Sequence, residues 1–291
     1  MKNYRNYRIG SRMPRLVPKL KLPKIPKAKN RLKDFYANIP ILLERKNFII
    51  KTADSTEELE MALRLRHQVF LEELLHKKKR SGKDTDRFDK QCDHLMIIDK
   101  RNNLLIGTYR LQSSLHTKRF YSATEFRMKH IKHLPGNKLE LGRACVHPDY
   151  RNGVTIALLW EGINAYIEAS QSSYLFGCSS IKTMDKNEIH EIYQYLRQNG
   201  HLMDNVKVRP RTKFRVPGLK RRLKIQPHYS LDDGRHHKEM IPSLLNSYLK
   251  SGAVVCGRPA LDKSFKCIDF LTLLDVRDLK GSAKRAMKKD D

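Results

Sequence analysis

The chain has 291 residues, 40% of them hydrophobic, enough to bury one large core or two small ones. Its 59 Lys and Arg against 31 Asp and Glu leave a formal charge of +28, so the surface must attract nucleic acid, anionic lipid or an acidic protein. No apolar run reaches the roughly 18 residues of a membrane-spanning helix, and the basic N-terminus has no apolar stretch behind it to act as a secretory signal. The five scattered cysteines, Cys92, Cys145, Cys178, Cys256 and Cys267, fit neither a disulfide framework nor a zinc site. A cytoplasmic protein without a metal is expected, and secreted toxins and integral membrane proteins are set aside.

Residues 1–33 carry twelve Lys and Arg and no acid, interrupted by Pro14, Pro18, Pro23 and Pro26. Proline at that density prevents a continuous helix, so residues 1–50 read as a basic arm. Leu16, Val17, Leu20, Leu22 and Ile25 among the lysines suit peripheral contact with an anionic membrane. A solvated tail or a nucleic-acid arm are the alternatives. Residues 51–276 then read as one α/β domain. Ser55 followed by Glu58 forms a capping box that opens a helix to about Leu75. Strands are predicted at His94–Asp99, Leu104–Leu111, Lys138–Val146, Tyr174–Ile181, Ala253–Cys256 and Cys267–Leu274. Helices are predicted over Gly153–Ala169, Lys186–Asn199 and from Pro242 to Gly252. A basic insertion at about 205–225, holding Pro210 and Pro217, reads as a loop, and residues 277–291 as a charged tail. The pattern predicts one mixed α/β (α+β) sheet with helices on both faces.

Polar residues in apolar places point to chemistry. Arg66 shares a helix face with Ala62, Leu63, Val69 and Phe70, and needs an anionic partner that Asp86-Arg87-Phe88-Asp89 could supply. Taken alone, Arg66 reads first as an ordinary buried ion pair. Glu140 and Arg143 interrupt an apolar strand; strict alternation places them on opposite faces, and a bulge at Gly142 would bring both to one cleft. That strand runs through His147-Pro148-Asp149-Tyr150-Arg151 into a helix, a junction whose free N–H groups favour phosphate, with Arg151 beside it.

Together these segments resemble the GNAT acyltransferase superfamily, and within it the branch that takes long acyl chains from acyl carrier protein. Leu65-Arg66-His67-Gln68-Val69-Phe70, Asp86-Arg87-Phe88-Asp89, Ile106-Gly107-Thr108-Tyr109-Arg110-Leu111 and Glu140-Leu141-Gly142-Arg143-Ala144-Cys145-Val146 resemble, in order, four motifs of acyl-homoserine-lactone synthases. Tyr150-Arg151-Asn152-Gly153 with Leu158-Leu159-Trp160-Glu161-Gly162, and Ile241-Pro242-Ser243 onward with Val255-Cys256-Gly257-Arg258-Pro259-Ala260, resemble the hemolysin-like ornithine N-acyltransferases of ornithine-lipid synthesis. Val154 and Ile156 stand where the GNAT phosphate turn carries small residues. Close approach of a CoA pyrophosphate is therefore disfavoured, while a carrier-borne phosphopantetheine has no such group to seat.

The resemblance implies transfer of a long-chain (3-hydroxy) acyl group from acyl carrier protein, with acyl-CoA second, to an amino acid's α-amine, ornithine first. Glu140 is the implied base, with His147 its substitute, and Arg143 and Arg110 orient the substrate. Arg66, Phe70, Asp86 and Asp89 order a loop over the acyl chain, Val146 lies beside the oxyanion position and Arg151 near the donor phosphate. No bound cofactor is expected. A signal-type N-acyl amino acid or homoserine-lactone synthase, and a non-catalytic nucleic-acid-binding scaffold, are the competing readings; the latter lacks any recognisable reading motif.

Overall fold

The computed structural model describes residues 35–203, 205–223 and 240–280; residues 1–34 of the arm, Lys224 in the basic insertion and residues 281–291 of the tail lie outside the described residues. Two short strands, β1 (Leu42–Glu44) and β2 (Phe48–Thr52), fall within the stretch expected as arm. Ile50 and Phe35 are both buried, so residues 35–50 are part of the packed body. Ser55 Oγ accepts the Glu58 N–H, and the Glu58 carboxylate accepts the Asp54 N–H, which starts α1 (Thr56–Arg66). The helix expected to reach Leu75 continues through His67–Leu74, but there it widens into π-type turns.

The chain continues with β3 (Asp93–Asp99), β4 (Leu104–Ser113), the single turn α2 (Ser122–Glu125), β5 (Phe126–Arg127) and α3 (Lys129–Lys132). Next come β6 (Asn137–Val146), α4 (Gly153–Ser170), β7 (Ser172–Ile181), α5 (Lys186–Gln198), β8 (Leu202–Met203), β9 (Arg209–Pro210) and α6 (Leu219–Arg222). After the gap stand α7 (Ser243–Lys250), β10 (Val254–Cys256), β11 (Ala260–Asp262) and β12 (Cys267–Asp275). The main sheet runs β1-β2-β3-β4-β6-β7-β12-β10-β8, with β11 alongside β12, while β5 and β9 pair separately. All neighbours in it are antiparallel except β6–β7 and β10–β8. The mixed sheet with helices on both faces is the architecture the hydrophobic pattern predicts.

Helix α4 covers one face, packing Ile163 and Ile167 onto Ile50, Leu95 and Ile97. Helix α1 and the π-type turns cover the other with Leu63 and Val69 against Met96 and Cys145. At the far end Ile189 and Ile192 of α5 and Leu245 of α7 close over Val255 and Phe270. Helix α4 comes very close to the strands at Gly162, where an added Cβ would lie 2.7 Å from both Ile50 Cγ2 and Leu95 Cδ1. Gly162→Ala is expected to cost about 1–3 kcal/mol, the usual effect of overpacking a filled core, measured as a lowered midpoint in urea unfolding.

Candidate active site

Two defects in β6 make the site. Opposite β4, Thr108 pairs Cys145 and Arg110 pairs Gly142, so β6 carries one residue more than its neighbour. The extra residue sits one position beyond the expected Gly142: Arg143 adopts φ +53°, a left-handed conformation uncommon for a side chain that has a Cβ. On the other edge, β6 pairs β7 only from Asn137 to Glu140, and beyond Phe176 the two strands part. At the apex an added Cβ on Gly177 would meet the Leu141 carbonyl oxygen at 2.1 Å, so glycine is what allows the last close approach. The wedge opens into a cavity of about 400 Å³ lined by Phe70, Arg110, Glu140 and Arg143 among others. The phase shift thus brings Glu140 and Arg143 to one cleft.

Beside the cleft lies a lattice of six charges. Arg66, 1% exposed, donates from Nε and Nη2 to Asp84 Oδ2 (3.1 and 2.8 Å) and from Nη1 to Asp89 Oδ1 (2.7 Å). Arg110 Nη1 donates to Asp86 Oδ2 (2.7 Å) and Asp89 Oδ1 (3.0 Å), and Arg143 Nη2 to Asp86 Oδ2 (3.0 Å). Burial raises the Asp86 and Asp89 carboxyls, yet the adjacent guanidinium groups overcome it and hold both below the ordinary carboxylate range. The Arg143 guanidinium also stacks 5.3 Å from the Tyr121 ring centre and 4.9 Å from that of Phe265. Its Nε is buried without a hydrogen-bond partner. Arg66, Asp86 and Asp89 do not line the cavity; they hold Arg110 and Arg143, which do.

Glu140 is 4% exposed, and both of its oxygens accept backbone N–H groups, from Ser122 (2.6 Å) and Tyr121 (2.7 Å). Burial raises its carboxyl, and these donors only partly offset the rise. The same carboxylate therefore faces the cleft and anchors α2. His147, in contrast, caps the turn Pro148–Tyr150 through Nδ1 and stands edge-on to Tyr150, outside the cavity lining. Val146 packs against the α4 side of the core. Arg151 is exposed and makes a two-point ion pair with Glu73 of the π-type turns, both contacts 2.6 Å.

Three acids that sequence reasoning passed over gather at the cavity, Asp262 and Asp269 in its lining and Glu125 beside them. Glu125 from α2, Asp262 from β11 and Asp269 from β12 bring their oxygens within 4.8 Å of one another, all buried. Burial, and then the Asp269 carboxylate, push Glu125 up to about 9, and burial pushes Asp269 up as well. A second missed feature is the apolar arm of the cavity, where Trp160, Leu244, Leu245 and Tyr248 meet; Trp160 and Tyr248 stand edge to face at 6.0 Å. All five cysteines are free, and burial pushes the Cys145 and Cys256 thiols up to about 12 and those of Cys178 and Cys267, both in the cavity lining, above their ordinary range.

Residues 65–161 match the acetyltransferase (GNAT) domain family. The L-ornithine N(alpha)-acyltransferase of Rhizobium meliloti (strain 1021) is 30% identical over 250 residues, covering 81% of this chain and 82% of the relative. That of Brucella abortus (strain 2308) is 30% identical, covering 78% and 84%. Among solved structures, the AHL synthase LasI is similar with a TM-score of 0.45 and 11% identity, over 83% of this chain and 94% of that one. The fold and the matched domain define an N-acyltransferase of the GNAT superfamily. Within it, the chain belongs to the L-ornithine N(alpha)-acyltransferase family.

Arg66→Leu leaves Asp84 and Asp89 buried without their main cation and is expected to cost about 3–5 kcal/mol in urea unfolding. Because Asp86 and Asp89 titrate below their ordinary value of 3.8 when folded, their contribution is present above that pH and is lost as the pH falls below it. Glu125 has the opposite sign. Its raised carboxyl leaves stability intact below 4.5 and erodes it as the pH rises toward about 9. Glu125→Gln is therefore expected to raise the thermal midpoint by about 2–5 °C at alkaline pH and to leave it unchanged in acid, read by calorimetry at both pH values.

Proposed function

We propose that the protein forms an amide by direct transfer of a long-chain, 3-hydroxylated acyl group from a phosphopantetheine thioester to the α-amine of ornithine, giving a lyso-ornithine-type lipid. The observation that carries this reading is the wedge between β6 and β7, with Glu140 and Arg143 on its wall and an apolar arm running past Trp160 and Tyr248. The unprotonated amine attacks the thioester carbonyl carbon. A C–N bond forms as the C–S bond breaks, and the sulfur leaves as the donor's thiol. Glu140, through a water, takes the proton the amine loses and returns one to the departing sulfur; its upward shift suits both duties. A backbone N–H near Ala144–Val146 holds the carbonyl oxygen as it becomes an oxyanion. No cysteine thiol is activated, which favours direct transfer over an acyl-enzyme. His147, turned into its cap, is the weaker base candidate.

Acyl carrier protein is the donor that the charge favours. Arg209, Arg215, Lys220, Arg221 and Arg258 line a second groove of about 640 Å³, a basic surface complementary to an acidic carrier. With Arg258 on this groove, the amine-side cleft keeps its acidic character. Among the described residues no helix is long and apolar enough to cross a membrane, and the basic arm is proposed to touch the anionic surface that receives the product. The likeness to L-ornithine N(alpha)-acyltransferases supports ornithine over a homoserine lactone as acceptor.

Lipid mass spectrometry on a host without aminolipids is expected to show an N-acylated ornithine with the wild type and none with Glu140→Ala. With purified protein, Glu140→Gln should lower kcat by about 10²–10⁴-fold. Raising the salt roughly tenfold should raise KM for acyl carrier protein much more than KM for acyl-CoA.

A further inference from the structure

The acids at the cavity make no ion pair among the described residues, and the cation felt by Asp269 is Arg143. Asp262 and Asp269 line the same cavity as Glu140 and Arg143, and Glu125 completes the group from α2. Their existing partners are neutral: Asp262 Oδ1 accepts the Ser264 and Phe265 N–H groups (2.7 and 3.2 Å), and Asp269 Oδ1 accepts the Ser180 hydroxyl. Glu125 Oε2 takes the Cys178 thiol at 3.8 Å, and the Glu125 carboxyl also meets the Tyr121 hydroxyl and the Asp269 carboxyl. Glu125 Oε1 has no hydrogen-bond partner at all, although the residue is 1% exposed. Among the described residues no Lys, Arg or His makes an ion pair with any of the three. Three buried carboxyls facing one another without an ion pair are borne either by keeping protons, as the raised Glu125 and Asp269 carboxyls do, or by taking a cation between them.

The position says what that occupant is. Glu140 and the acids flank the same short turn: the Ser122 N–H is held by Glu140, and Cys178 Sγ lies 3.4 Å from Ser122 Oγ and 3.8 Å from Glu125 Oε2. The proposed base and the acids are thus linked through Ser122 and Cys178 at one turn of the cavity. Arg143, whose Nε makes no hydrogen bond and lies 4.0 Å from Asp84 Oδ2, lines the same cavity, and Ser180, exposed on the lining, marks an approach from solvent. A ligand with a carboxylate at one end and a second ammonium at the other matches both charges of this cavity.

We propose that Glu125, Asp262 and Asp269 form the subsite for the side-chain ammonium of a diamino acid acceptor, and so select ornithine-like acceptors over neutral amino acids. The proposal rests on the N-acyl transfer reading above. The Arg143 guanidinium receives the acceptor's carboxylate, the α-amine is left beside Glu140, and the distal ammonium takes the orphaned Oε1 of Glu125 together with Asp269.

The test compares L-ornithine with L-norvaline, which has the same carbon chain without the distal ammonium, as acceptors for the wild type, Asp269→Asn and Glu125→Gln. Binding of each amino acid without donor is followed in parallel by calorimetry. The wild type should favour ornithine by at least roughly 10²-fold in kcat/KM. Either variant should raise KM for ornithine by roughly 10–100-fold and bring the ornithine-to-norvaline ratio of kcat/KM down toward one. Equal use of the two acceptors by the wild type would overturn the subsite and leave the transfer reaction standing. Equal loss on both acceptors in the variants would overturn it in favour of a proton-transfer role. Loss of activity with a chelator, restored by Mg²⁺, Mn²⁺ or Zn²⁺, would overturn it in favour of a metal site. Binding of ornithine but not norvaline, with no acyl transfer to either, would uphold the subsite and overturn the proposed reaction.

Discussion

The neutral lattice of Arg66, Arg110 and Arg143 with Asp84, Asp86 and Asp89 is the constraint on which the rest of the site depends. Three cations and three anions cancel, so no net charge is buried, and each group is held by the others at hydrogen-bonding distance. The lattice joins α1, the loop that precedes β3, β4 and the bulge of β6. Smaller polar contacts reinforce it, such as the Asp84 N–H on the Leu63 carbonyl and the Lys83–Glu60 ion pair, and the lattice ties all four elements at once. The direction of the Arg143 side chain, and its unusual backbone, are therefore fixed from behind by Asp86 and from above by the Tyr121 and Phe265 rings.

Glu140 extends that order to the opposite wall. By accepting two backbone N–H groups it fixes the start of α2, and α2 carries Glu125 three residues on. Base and acid cluster are thus positioned by one short turn. The cavity has a charged half and an apolar half, and the boundary between them falls where β6 and β7 part. A substrate with a polar head and a long chain meets both halves without burying either in the wrong surroundings.

Much of this was legible in the sequence, for physical reasons. The Ser55–Glu58 box, the apolar period of α4 and the continuous apolar runs of β4, β6 and β12 are local signals, and each element is where they put it. Arg66 amid Ala62, Leu63 and Val69 announced a buried anion, and Asp89 was its partner; Asp84, outside the motif, was not foreseen. The strands β1 and β2 were hidden because short strands in lysine-rich sequence resemble the arm before them. The π-type widening leaves the apolar period nearly unchanged and so leaves no trace. The acids are the instructive omission. Glu125, Asp262 and Asp269 lie in three separate elements, each read alone as an unremarkable turn or strand residue, and only the return of β12 beside β7 assembles them.

The parting of β6 and β7 has one more consequence. A sheet that splits in its middle exposes strand edges, and exposed edges invite other chains to pair with them. Here the edges face each other inside the molecule, under the cover of Phe70 and Phe265, in a gap that narrows to the Leu141–Gly177 contact. A neighbouring protein's strand, with its side chains and its own flanking structure, has no way in, whereas a thin unbranched chain does. The opening that would be an aggregation hazard at the rim of a sheet is, at its centre, a filter for slender molecules.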